Sequence, residues 1–160
     1  MIGSVARLRF TSPERADRIS TGIAPGGALT TRQIRTHLAN AGRTHSPRVL
    51  HAAWTHRKIT PTQLAELLPI IWSYCEYPHD SISNDDWRSL FQAVGYRSNG
   101  EPASPPTQVR VYRGSPWERR HNWSWTSHYL AAYAFATGDI PGHPAGALWV
   151  TTAAAPHLLM

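Results

Sequence analysis

The chain has 160 residues, 41% of them apolar and only 16% charged, with a net charge of +6. That length serves one core, no apolar run approaches the roughly 20 residues of a membrane-spanning helix, and the lone Cys75 excludes an internal disulfide framework. A single thiol, and a start from Met1 to Phe10 that carries Arg7 and Arg9 without an apolar signal core, predict a cytoplasmic protein.

The charge is uneven. Residues 1–60 hold ten Lys/Arg against Glu14 and Asp17, residues 61–100 hold Arg88 and Arg97 against five acids, and the remainder is close to balance. A basic front end can hold a phosphate-rich partner by counterion release. No Lys/Arg block or interleaved aromatic row accompanies it, so a solvated leader is the stronger expectation.

Residues 1–29 have few large apolar groups and end in Ala24-Pro25-Gly26-Gly27, so they are expected to lack packed structure. Residues 30–97 read as a helical segment. Ser46-Pro47 predicts a cap and first-turn proline, with Val49, Leu50, Ala53 and Trp54 on one face. Thr60-Pro61-Thr62-Gln63 predicts a capping box, with Ile59 stapled onto Leu64. Pro69 should kink or split the apolar run that follows. Ser83-Asn84-Asp85-Asp86 repeats the capping logic, with Ile82 stapled onto Trp87 and Gly95 as the stop. Residues 98–108, with Ser98-Asn99-Gly100 and Pro102 to Pro106, predict a linker.

Beyond it the periodicity changes. Val109 to Arg113 alternates as a strand does, Trp123 to Thr126 predicts a short second strand, Leu130 to Ala136 a helix, and Gly146 to Thr152 a third strand. The fold class expected for the whole is α+β, a helical N-terminal half beside a small sheet.

Three pieces stand in order here: Val111-Tyr112-Arg113-Gly114, Ser124-Trp125-Thr126, and a helix ending Ala134-Phe135-Ala136. Singly each is common, since a strand arginine is usually an ion-pair partner and an alanine–phenylalanine helix face is usually core. In combination they resemble the arginine–serine–glutamate class of the ADP-ribosyltransferase superfamily, over about residues 109–152. The interval of eleven residues from Arg113 to Ser124 departs from the family pattern, being too short for the helices many toxin-type members insert there, a shortening that a compact phage or bacterial variant tolerates. The resemblance implies a split sheet of that type, incomplete here. It also implies a site for NAD, as substrate, with ADP-ribose passed to a protein or nucleic-acid acceptor.

By that resemblance Arg113 grips the NAD phosphates as a bidentate guanidinium, and Gly114 lets the backbone approach the cofactor. Ser124 and Thr126 shape the nicotinamide pocket, and Tyr112 and Trp125 wall it. The following helix turns Ala132, Phe135 and Ala136 inward. The family's glutamate, which binds the nicotinamide ribose and stabilises developing positive charge, would stand on a later strand. No Asp or Glu follows Asp139, and Glu101 and Glu118 fall in the wrong part of the order. No catalytic residue is therefore identified, and a truncated chain, inactive alone, is the expectation.

Other chemistries find less support. Cys75 with His79, and His51 with His56, lack a second ligand pair for zinc. Cys75 sits among Trp72 and Tyr74, where burial keeps it a thiol. Gly22, Gly26 and Gly27 lack the Lys-Ser/Thr of a phosphate loop. The alternative of a different class is a small basic DNA- or partner-binding module, with Thr60 to Tyr74 as half of a helix–turn–helix.

Overall fold

Three capping boxes start the long helices of the N-terminal half, as the sequence predicts for two of them. The computed structural model describes residues 27–75 and 77–158, and among these it has five α-helices and two small antiparallel sheets, an α+β architecture. The described chain divides at Pro102/Ala103, within the expected linker, into two compact units. None of its helices is long and apolar enough to cross a membrane. Of the segment expected to lack packed structure, residues 1–26 lie outside the described residues, while the Leu29 amide donates to Lys58 O at 2.7 Å.

In the first unit, helix α1 (Thr31–Thr55) opens with Thr30 and Gln33 exchanging side-chain and backbone bonds. It bends at Gly42, whose φ of 74° is open to glycine and strained for other residues. The expected start at Ser46 is corrected here, because the helix has already resumed. The Ser46 hydroxyl donates to Gly42 O (2.6 Å) and Leu38 O (2.9 Å), bridging carbonyls on the two sides of the bend instead of capping amides.

Helix α2 (Pro61–Tyr74) has its capping box, with the Thr60 amide donating to Gln63 Oε1 at 2.8 Å. It runs unbroken through Pro69, so the expected split does not occur. A single turn, α3 (Pro78–Ser81), leads to α4 (Asn84–Val94), capped by Ser83 with Asp86 and stopped by Gly95 at φ 72°. The Asn99-Gly100 turn then joins a two-residue hairpin of β1 (Arg97–Ser98) and β2 (Glu101–Pro102).

The core of this unit lies where α1, α2 and α4 bury Ile34, Leu38, Val49 and Leu50, Leu64 and Leu68, and Trp87 and Leu90. Trp72 meets Trp87 and Phe91 edge-on at 4.9 and 5.2 Å, a geometry that adds to the area such rings bury. Trp87 is almost fully buried and satisfies its indole N–H on Pro78 O at 2.8 Å. Two arginines of the basic front half are tied to main chain. Arg43 Nε donates to Tyr74 O (3.1 Å) and Arg48 Nε to Ser81 O (2.8 Å). Cys75 is buried, its sulfur 3.3 Å from the Ser81 hydroxyl.

In the second unit, β3 (Gln108–Ser115) pairs antiparallel along its whole length with β4 (Ala147–Ala154). Along its other edge, among the described residues, β3 is bridged only by Thr126, which exchanges both backbone bonds with Tyr112. The strand expected at Trp123 to Thr126 thus shrinks to one bridge, because the residues before it are held in turns. Among the described residues β4 has β3 as its only strand neighbour, and most of its residues are exposed. Helix α5 (Tyr129–Thr137) lies over β3, burying Ala132 and Ala136.

Replacing Thr60 with Ala removes a cap and should cost about 1 kcal/mol in urea unfolding. Gly114→Ala should cost more, about 1–3 kcal/mol, because its Cβ would overlap the Ala132 carbonyl oxygen and the Ala136 amide of α5. Hydrogen exchange checks the second: amides of α5 should lose protection while those of α1 keep theirs.

Candidate functional site

Side chains alternate across β3, and this divides the residues expected to act together. Tyr112 and Gly114 lie on the α5 side of the strand. The Tyr112 ring meets Tyr129 of α5 edge-on at 5.6 Å, and the space beside Gly114 is filled by helix backbone. Arg113 belongs to the opposite side, with Val111 and Ser115. Trp149 stands directly across from Arg113 on β4 and so shares its face.

Arg113 is half-buried and makes two directed bonds, Nε to Arg119 O at 2.9 Å and Nη1 to Ser124 O. Those carbonyls sit at either end of the irregular stretch between a 3-10 turn (Trp117–Arg119) and the Thr126 bridge. The guanidinium therefore acts as a brace across that loop. Burial lowers the Arg113 pKa from its ordinary value, and the positive charge of Arg119 lowers it further. Even so, an arginine stays protonated at any physiological pH. The physical content is that two guanidinium groups are held near each other at a cost. Among the described residues no carboxylate lies within ion-pair distance of Arg110, Arg113, Arg119 or Arg120.

The other expected site residues have these positions. Ser124 is exposed and reaches Arg113 through its carbonyl. The Thr126 hydroxyl accepts from the His128 amide at 3.0 Å, ordering the entry to α5. Trp125 is half-buried, its indole N–H donating to Asn122 O at 2.9 Å. Ala132 and Ala136 are buried as expected, but Phe135 is 37% exposed, and its ring meets His143 edge-on at 5.0 Å. The inward placement of Phe135 is corrected by that contact, since β3 at Gly114 already lies against the backbone of the helix.

Sequence reading passed over the interval from Ser115 to Arg120. The Ser115 hydroxyl is buried and has no hydrogen-bond partner. Its carbonyl accepts the Trp149 indole N–H at 2.9 Å. Trp117 lies edge-on to Trp149 at 5.5 Å, and the Arg120 guanidinium lies over its ring at 3.6 Å. The signal was present as Trp117-Glu118-Arg119-Arg120, but only in composition, with no periodicity to mark it.

Among the described residues no group of three or more His, Cys, Asp or Glu is arranged to hold a metal ion. A shallow groove of about 490 Å³ lies in the first unit, lined by Trp54, Thr55, Arg57, Ile59, Pro61 and Ser89. Compared with protein-family models, with curated proteins and with solved structures, the chain matches none. Fold and site together define an α+β protein with a cationic, aromatic-lined loop on its C-terminal unit.

If Arg113 braces the loop, Arg113→Lys should loosen it without unfolding the unit, because an ammonium cannot span both carbonyls in one plane. Amides from Asn122 to Trp125 should exchange faster while the β3–β4 pairs stay protected. Equal exchange in both variants would show the brace to be dispensable.

Proposed function

We propose that the C-terminal unit binds NAD, with Arg113 on a phosphate, in the manner of the arginine–serine–glutamate ADP-ribosyltransferases that its motifs resemble. The observation that carries this reading is the state of Arg113: half-buried, fixed in direction by two main-chain carbonyls, and without a carboxylate partner among the described residues. A guanidinium has five N–H donors. Two are spent on carbonyls, leaving three for a ligand. An anion placed there would gain charge-assisted bonds and relieve the repulsion between Arg113 and Arg119.

This donor set fits a diphosphate. Gly114 supports the reading differently from the expectation, since its missing side chain admits α5 on one side of β3 while the guanidinium occupies the other. Tyr112 and Thr126 then serve the packing that positions Arg113. Ser124 and Trp125, on the loop that Arg113 holds, remain the residues closest in role to the nicotinamide pocket.

NAD carries a glycosidic bond to nicotinamide whose cleavage releases ADP-ribose for transfer to a protein or nucleic-acid acceptor. Such a step calls for a carboxylate. The acids of this unit are Glu118, exposed in the 3-10 turn, and Asp139, which accepts from the Thr137 hydroxyl at 2.6 Å. Neither has the place in chain order that the family's glutamate holds. We therefore assign binding of NAD to this unit and name no residue for its turnover.

NAD at about ten times its Kd should stabilise the chain by roughly 1.4 kcal/mol, raising Tm by a few degrees. Arg113→Ala should abolish that shift, and Arg113→Lys should lose most of it. An absent shift at millimolar NAD, or one kept in full by Arg113→Lys, overturns the reading.

A further inference from the structure

Trp117 is 61% exposed, yet it is one of the more firmly held side chains of its unit. The Arg120 guanidinium covers one face of its indole at 3.6 Å, and Arg120 Nη1 also donates to Trp117 O at 2.8 Å. Trp149 meets its ring at 5.5 Å and 60°, and is itself tied by its indole N–H to Ser115 O. The turn beneath is closed by the Arg119 amide on Pro116 O (3.1 Å) and the Arg120 amide on Trp117 O (3.3 Å). What remains exposed is the indole surface that neither neighbour covers. A large apolar ring left in water is unfavourable, and a fixed one has already lost the rotamer freedom that binding would otherwise remove.

Cations stand beside this ring. Arg120 lies over it and Arg119 belongs to the same 3-10 turn, and no carboxylate pairs with either among the described residues. An exposed, pre-positioned indole calls for a flat π-system, and unpaired guanidinium groups beside it call for phosphate. A planar base joined to a phosphate backbone carries both. Bases inside a duplex hide their faces by stacking on one another, whereas unpaired bases offer theirs.

We propose that Trp117, backed by Arg120 and flanked by Trp149 and Arg119, is a stacking platform for single-stranded nucleic acid. The platform takes an unpaired base on the open indole surface while the arginines hold neighbouring phosphates. It stands independently of the NAD reading, because its anchor is Trp117 and the NAD reading rests on the unspent donors of Arg113. It also differs from the basic front half of the chain, where Arg43 and Arg48 are tied to carbonyls of the helical unit.

The test uses the full chain and a fluorescent oligothymidylate about ten nucleotides long, followed by anisotropy, with a duplex of equal length and polyglutamate as competitors. The single strand should bind with quenching of tryptophan fluorescence and weaken as salt rises. Trp117→Ala should lower its affinity about tenfold or more, and Trp117→Phe should retain most of it. Arg119→Gln should reduce the salt slope by about one. Since Trp117 is largely exposed, the alanine variant should keep the wild-type circular dichroism. Unchanged affinity in Trp117→Ala overturns the proposal. So does a duplex that competes as well as the single strand, or polyglutamate that competes equally, which would make the patch a site for acidic proteins. Failure of the oligonucleotide arm with a normal NAD shift removes the platform alone, and the reverse result removes only the NAD reading.

Discussion

Between Pro116 and Trp125 the chain has neither a strand partner nor a helix to fix its path, apart from one 3-10 turn. What spans it is the side chain of Arg113, which reaches from β3 to the carbonyls of Arg119 and Ser124. Carbonyls at the ends of turns need partners as much as those in helices do, and a planar guanidinium can serve two at once from a single strand position. The turn that carries Trp117, the backbone course through Ser124 and the bridge at Thr126 all lie on the stretch it spans. The same group keeps donors to spare, so the brace and the proposed anion site would be one side chain in two uses.

That brace depends on a tight approach on the other side of the strand. Helix α5 comes so near to β3 at Gly114 that no side chain fits between them. Gly146 makes a second such approach, where a Cβ would overlap the backbone at Ser115 and Pro116. Its amide also donates to Ala136 O at 2.9 Å. Gly114 thus sets the distance between helix and sheet, which Ala132 and Ala136 are small enough to keep, and Gly146 lets the chain entering β4 pass close beside the end of β3. With so few large side chains buried, this unit takes its definition from backbone bonds and close contacts more than from apolar volume.

Much of the helical half was legible because its signals are local. Thr60 with Gln63, and Ser83 with Asp86, complete their bonds within three residues, and the apolar positions recur at helical spacing. Ser46-Pro47 misled because the bend at Gly42 lies four residues earlier, and its cause is a backbone angle that composition does not display. At Pro69 the split, one of the two outcomes expected, is absent, since a helix that packs on neighbours through Leu64, Leu67, Leu68 and Ile71 can lose one amide and stay continuous. In the candidate site, the order Arg113, Ser124, Thr126 was readable. Which side of β3 each neighbour would face was not, because it depends on where α5 lands. The setting of Trp117 was invisible for the same kind of reason: it is made by Trp149, more than thirty residues away, and no short-range pattern joins the two.

Strand β4 has a further consequence. Along Ala147–Ala154 its outer side lacks a strand neighbour among the described residues, and the sequence there is Ala, Leu, Trp, Val, Thr, Thr, Ala, Ala, with no charge and no proline. Natural sheets usually blunt such a margin with lysine, proline or a bulge, and Val150 stands 60% exposed on this one. Were copies crowded together, a margin of this kind is where their strands would pair, and a single lysine at Val150 would be the simplest way to keep them apart.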